Sequence, residues 1–499
     1  MTTTNPFQSP LSPPSLSDEV PKGEIGGHPA GLYVLFGAEM WERFSYYGMR
    51  ALLVLYLTNH LQMVRKDALD IYAIYTGLVY LSPLLGGFLA DKVLGQRKAI
   101  LIGGIVMALG HFAMAFEPLL ELALGLLILG NGFFKPNIST MVGQLYPQGD
   151  ARRDGAYTIF YMGINLGAFF SPLVCGTLGE RFGWHYGFGA AGVGMVLGLI
   201  SFVAFQRSLV GGFPPARDTA NRPGLTAMDW VHVVLISLAC LAFAYGAIQV
   251  WPALRPLKST LFLGMGGLAA VATLYFLVRL FTASKADSVD WRRISVILIV
   301  AVFSIVFWMG FEQAGGTLTL FADKKTDRVL FGSAFPASWF QSVNPMLIFL
   351  LAPLFAMLWT GLDRTRFKLN SAAKMGLGML ILGLGFVVMS GADRASKSSP
   401  LVGPQWLASV YFLFTVAELC LSPIGLSLVN KLSPPRLASM MMAVWFLSTA
   451  IANYLAGKLE SLVEGKYDLW TFLIFTSVVP GLALLALNPV LKKLAHGRL

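Results

Sequence analysis

Charged side chains are scarce in this chain. They make up 13% of its 499 residues, about half the ~25% usual for a soluble domain. Cysteine is scarcer: Cys175, Cys240 and Cys420 are the three present. Each sits inside an apolar run, which excludes a disulfide framework and offers no spacing for a structural metal. The six histidines, His28, His60, His111, His185, His232 and His496, form no His-Glu-x-x-His pattern and no intramembrane pair with a carboxylate. The sequence therefore gives no reason to expect an enzyme, a metal or a cofactor. Residues 1–30 are polar and rich in Pro and Ser, with no apolar stretch. They are expected to be a disordered cytoplasmic tail with no cleaved leader.

Apolar surface is what the chain has in excess. Hydrophobic residues reach 56%, and the mean hydropathy is +0.65. A soluble core of this size cannot hide so much, because cores stop growing and split into domains. Apolar runs of about 20 residues, the length that spans a bilayer as a helix, recur throughout. Fourteen candidate spans can be marked between residues 31 and 493. Lys and Arg concentrate in the loops on the side of the termini, which predicts both termini in the cytoplasm of a multi-pass inner-membrane protein. The net charge of +11 then reflects loop composition, and no nucleic-acid partner is implied.

The chain also reads as duplicated. Gly87-Phe-Leu-Ala-Asp91 through Gly95-Gln-Arg97-Lys98 joins the second and third spans and resembles the signature loop of the major facilitator superfamily. Gly361-Leu-Asp363-Arg364 is a weaker echo after the tenth span. The two loops are equivalent only if two helices are inserted between two sets of six. The expectation is an all-α membrane protein of the facilitator fold with 14 transmembrane helices. Its parts are a six-helix bundle at 31–207, an accessory helical hairpin at 229–283 and a second six-helix bundle at 293–493, with the site between the bundles.

Ionisable residues inside the spans carry the functional signal, since a charge at the bilayer centre costs roughly 2.5–3.5 kcal/mol on insertion scales. The first span holds Glu39, Glu42, Arg43, Tyr46 and Tyr47 at i, i+3, i+4, i+7 and i+8, one helical face. A structural ion pair would explain Glu39 and Arg43. Two acids, a base and two phenols on one stripe predict a wet face instead, where Arg43 competes with protons for a carboxylate. Lys135 lies mid-span before Pro136, which breaks the backbone ladder. Glu312 follows Trp308 by one turn. Asn165 and Tyr161 are also one turn apart. Asn165 and Asn344 are alternatively ordinary interhelical hydrogen-bond partners.

These stretches form an ordered set. Glu39-x-x-Glu42-Arg43-Phe44-x-Tyr46-Tyr47-Gly48 is followed by Gly130-Asn-Gly-Phe-Phe-Lys135-Pro-Asn137 and Phe160-Tyr161-Met-Gly-Ile-Asn165. Phe307-Trp308-x-x-x-Glu312-Gln313, Phe340-Gln-Ser-Val-Asn344-Pro345, Glu418-Leu-Cys-Leu-Ser422-Pro423 and Trp445-Phe446 come next. The set resembles the proton-dependent oligopeptide transporter family across residues 31 to 461. That resemblance implies proton-coupled uptake of di- and tripeptides by alternating access, with protons as the coupling ion and a functional monomer in the lipid bilayer. It implies proton-linked roles for Glu39, Glu42, Arg43 and Glu312, with an Arg43–Glu312 pair in the outward state. Arg43 and Lys135 would hold a peptide carboxylate, Glu418 and Asn344 its ammonium, and Asn165 a peptide amide. Tyr46, Tyr47, Tyr80, Tyr161, Trp308, Ser422, Trp445 and Phe446 would line the pocket. Mammalian members are thought to use a membrane histidine; no histidine here falls on these faces, so carboxylates are expected to couple. Carriers of nitrate or drug-like solutes share the facilitator loop, and a membrane-embedded enzyme is the alternative of another class.

Overall fold

In the computed structural model, residues 23–496 are described, apart from 148–149, 151, 213–226, 254–287, 331, 366–367, 435–437 and 464. Long helices dominate. The first half holds α1 (Ala30–Leu55), α2 (Arg65–Leu89), α3 (Gln96–Ala113), α4 (Leu120–Gln144), α5 (Arg152–Ser171) and α6 (Trp184–Ala204). One further helix, α7, spans Ala227–Ala253. The second half holds α8 (Ser288–Phe311) with its short continuation α9 (Thr317–Lys325), α10 (Val343–Asp363), α11 (Ser371–Ser398), α12 (Gln405–Leu432), α13 (Ala438–Val463) and α14 (Leu469–Leu494). Among the described residues, nine helices are long and apolar enough to cross a membrane. α1, with four charged side chains, is not one of them. The expected span 258–283 lies outside the described residues.

The two halves repeat the same neighbours. α1 packs on α5 and α6 as α8 packs on α13 and α14; α3 packs on α4 and α6 as α11 packs on α12 and α14; α2 packs on α4 as α10 packs on α12. α7 lies against α2 and α4. The main pairings across the halves are α2 with α13 and α5 with α10, and α1 also touches α9.

Local departures from straight helix have local causes. Pro136 sits inside α4 and leaves the Gly132 carbonyl without its intrahelical donor. That carbonyl turns against Gly86 of α2, where a Cβ would overlap it, so only glycine permits α2 and α4 to touch backbone to backbone. Pro172 opens a π-turn at Pro172–Gly176, and a second follows at Leu178–Phe182. The expected single span 293–322 is interrupted: Glu312–Gly315 forms a 3₁₀ turn between α8 and α9. The end of the expected disordered tail is ordered too. Glu24–Ile25 pairs with His28–Pro29 around Gly26-Gly27, both at positive φ. Arg152 donates to Glu24 at 3.1 Å and to the Gly27 carbonyl at 3.0 Å, and His28 and Tyr146 share a 2.8 Å hydrogen bond.

The halves are pinned together at the end opposite the termini. Asn59 donates to Asp323 (2.9 Å), and Lys324 donates to Asn59 (2.8 Å). Arg65 pairs with Glu460, and Lys458 with buried Asp70, both at 2.6 Å. Glu180 accepts from the backbone N–H groups of Ala337 (2.8 Å) and Ser338 (3.0 Å).

Candidate functional site

A cavity of about 320 Å³ lies between the halves. The first half contributes Arg43, Tyr47, Tyr80, Lys135, Tyr161 and Asn165 to its wall. The second contributes Trp308, Glu312, Asn344, Glu418, Ser422, Trp445 and Phe446. Glu39, Glu42 and Tyr46, expected on the same wet face, do not line it. Both carboxylates are fully buried behind the wall. Tyr46 is 1% exposed, with its ring edge-on to Tyr47 at 5.1 Å. The five-residue stripe is wider than the cavity, so only its Arg43 and Tyr47 edge reaches water, while its other edge faces the interior of the first half.

Behind the wall the charges neutralise one another. Arg43 binds Glu42 through both Nε and Nη2, the second at 2.5 Å, and its Nε lies 3.4 Å from Glu39 one turn earlier. Lys135 reaches across from α4 to Glu39 at 2.7 Å. Asn131 donates to Glu42 at 3.3 Å. Two acids thus hold two bases, and the cationic edges of Arg43 and Lys135 face the cavity. Such buried pairs are strongly geometry-dependent, and removing one member leaves its partner without compensation.

Glu312 does not pair with Arg43 here. Its carboxylate is bound by Nη2 of Arg50, which the sequence motifs did not single out. Arg50 also donates from Nε to the Tyr72 hydroxyl at 2.7 Å. It lies seven residues after Arg43 and three after Tyr47, so it continues the cavity-facing edge of α1; that spacing was the available signal. Glu312 gets its position from the break between α8 and α9. Gly315, at the end of that turn, lies where a Cβ would overlap the Tyr72 hydroxyl and come within 2.8 Å of Arg50 Nη2. Glycine there lets the Arg50–Tyr72 pair reach Glu312 across the halves.

On the opposite wall, Glu418 of α12 accepts from the Asn344 amide at 2.9 Å. Asn344 also donates to Thr415 at 3.1 Å. No cation pairs with Glu418 among the described residues. Asn165 donates to the Tyr161 carbonyl of its own helix at 3.0 Å, and among the described residues its side chain bonds to no other helix. Trp308 stands edge-on between Phe307 (5.4 Å) and Phe311 (5.1 Å), and Trp445 lies against Gly425. Gln341 and Tyr411 line the cavity as well and were not singled out by sequence, since neither interrupts an apolar face with a charge.

The family model for the POT family matches residues 97–469. The chain belongs to the POT family. The peptide transporter YePEPT of Yersinia enterocolitica is 39% identical over 455 residues, covering 86% of this chain and 87% of that protein. The di-/tripeptide transporter of Lactococcus lactis subsp. cremoris is 32% identical, over 95% and 98% of the two chains. A crystal structure of a POT peptide transporter in complex with sulfate is 36% identical, covers 96% of this chain and 98% of its own, and superposes with a TM-score of 0.82. This POT-family chain therefore has the facilitator fold along nearly its whole length. The Arg43–Arg50 edge of α1 precedes the segment matched by the family model, while Lys135, Glu312, Asn344 and Glu418 fall within it.

Proposed function

We propose that this chain is a proton-coupled symporter that takes up di- and tripeptides across the cytoplasmic membrane by alternating access. The observation that carries the reading is the division of charge across the cavity. Arg43 and Lys135 present cations from one half, and Glu418 with Asn344 presents an anion from the other. A zwitterion with separated ends satisfies both walls; a simple anion such as nitrate leaves Glu418 unanswered. Arg43 can grip a carboxylate through two N–H groups. Aromatic walls at Tyr47, Tyr80, Trp308, Trp445 and Phe446 tolerate varied side chains, so recognition rests on the peptide's ends and backbone. Relatives named as peptide and di-/tripeptide transporters agree with this.

Coupling follows from competition. A proton on Glu312 cancels its pairing with Arg50 across the halves. A peptide carboxylate competes with Glu42 and Glu39 for Arg43 and Lys135, leaving those acids free to take protons. With both termini in the cytoplasm, the pinned end faces outward and the state described is closed to the exterior. One proton moving down 100 mV gains about 2.3 kcal/mol, and one pH unit adds about 1.4 kcal/mol. Together these sustain accumulation on the order of several hundred-fold at one proton per peptide. The protein works as a monomer, each chain holding a complete cavity.

The test is uptake of a labelled dipeptide into proteoliposomes under an imposed pH gradient. Unlabelled di- and tripeptides should compete, and free amino acids and nitrate should not. The lumen should acidify only when peptide is present. Uptake indifferent to the gradient, or nitrate as the better competitor, would overturn the reading.

A further inference from the structure

A second cavity lies outside the transport path, on the flank of the first half. It encloses about 680 Å³ between α1, α5 and α6. Trp41 and Phe44, Gly167 and Phe170, and Gly189 and Val193 are its principal walls. Trp41 and Phe44 sit on the side of α1 away from the cavity. Gly167 and Phe170 follow Asn165 on α5. The groove thus backs onto two of the helices that carry the transport residues.

We infer that this groove binds the tail of one phospholipid. Three observations favour that occupant. First, the groove is continuous with the surface that meets the bilayer. Phe170 (47%) and Val193 (52%) are exposed at its rim, and the apolar strip runs on along α6 to Ile200 (58%) and Val203 (45%). Second, its chemistry has one polar end. The apolar walls finish at His185 and Tyr186, on the first turn of α6, with rings 4.1 Å apart. That is the depth at which such residues meet lipid headgroups. Third, its length suits a tail. The lining on α6 runs from His185 to Leu197, about 18 Å at 1.5 Å per residue, a little over half the ~30 Å hydrocarbon core.

Gly189 supplies the test, because it lines the groove and a Cβ added there meets no heavy atom within 4 Å. Full-length wild type, Gly189→Phe and Val193→Phe would be purified in one detergent and weighed by native mass spectrometry. Wild type should retain one phospholipid, and both plugged variants should lose it while keeping the wild-type melting temperature. Stripped protein would then be titrated with a phospholipid brominated in its tails. Trp41 emission, defined by subtraction of a Trp41→Phe variant, should be quenched saturably in wild type and lose most of that quenching in both plugged variants. If one plugged variant fails to fold, the other decides. Wild type that retains no phospholipid and shows no saturable quenching overturns the inference. So does equal retention and quenching in a folded plugged variant.

Discussion

Gly315 is the most economical place to test whether the Arg50–Glu312 pair governs the seam between the halves. Gly315→Ala puts a methyl group inside the radius of the Tyr72 hydroxyl and 2.8 Å from Arg50 Nη2. Ordinary contact requires at least 3.4 Å. The hydroxyl must therefore retreat, and its 2.7 Å bond from Arg50 Nε is lost. A hydrogen bond to a charged group contributes about 1.5–3 kcal/mol. The closed seam should lose that much, a ten- to about hundredfold shift in population at ~1.4 kcal/mol per decade. The readout is the distance between spin labels at Val64 and Tyr467, exposed positions in the first and second halves, after replacing Cys240 and leaving buried Cys175 and Cys420 in place. Gly315→Ala should populate a longer distance. In a Tyr72→Phe background the bond is already absent, so the same substitution should add little, leaving a coupling energy of about 1–3 kcal/mol between the two sites. An unchanged distance distribution, or an equal shift in both backgrounds, would refute the reasoning.

Other outcomes follow from the same geometry. Glu312→Gln should abolish pH-driven accumulation yet allow peptide counterflow; surviving accumulation would remove Glu312 from the proton path. Arg43→Ala should weaken peptide binding by about 1.5–3 kcal/mol, whereas Tyr46→Phe, behind the wall, should stay within about 0.5 kcal/mol of wild type, as read by calorimetry. At the end bearing the termini, hydrogen bonds from Arg152 hold the Asp150 carboxyl below its usual range. A group so depressed contributes stability above its unfolded pKa of about 3.9 and loses it as pH falls through the lower folded value. Hydrogen-exchange protection of residues 23–29 should therefore persist to below pH 4 in wild type and be weaker at neutral pH in Arg152→Gln.

Much of this was legible from residues alone, for definable reasons. Span positions follow from apolar length. The charged edge of α1 follows from i, i+4 spacing, and the value of Lys135 from its depth in an apolar helix. What was not legible depends on relations between helices. Whether Arg43 or Arg50 meets Glu312 turns on the depth of α1 against α8, which no local pattern encodes. The 3₁₀ turn at Glu312–Gly315 was hidden inside one long apolar run, because hydropathy does not register a change of helical pitch. Tyr46 was misplaced because a stripe on a helical wheel says nothing about how wide a cavity is. The hairpin at residues 24–29 was missed because its partner, Arg152, lies far along the chain.

The backbone contact between Gly86 and Gly132 has a mechanical consequence. Two helices without side chains between them cannot slide past each other, so α2 and α4 move as a single slab. Tyr80 and Lys135 ride on that slab, and Lys135 is tied through Glu39 to α1. In the proposed cycle, the grip on a peptide carboxylate would therefore keep its shape while the halves alternate.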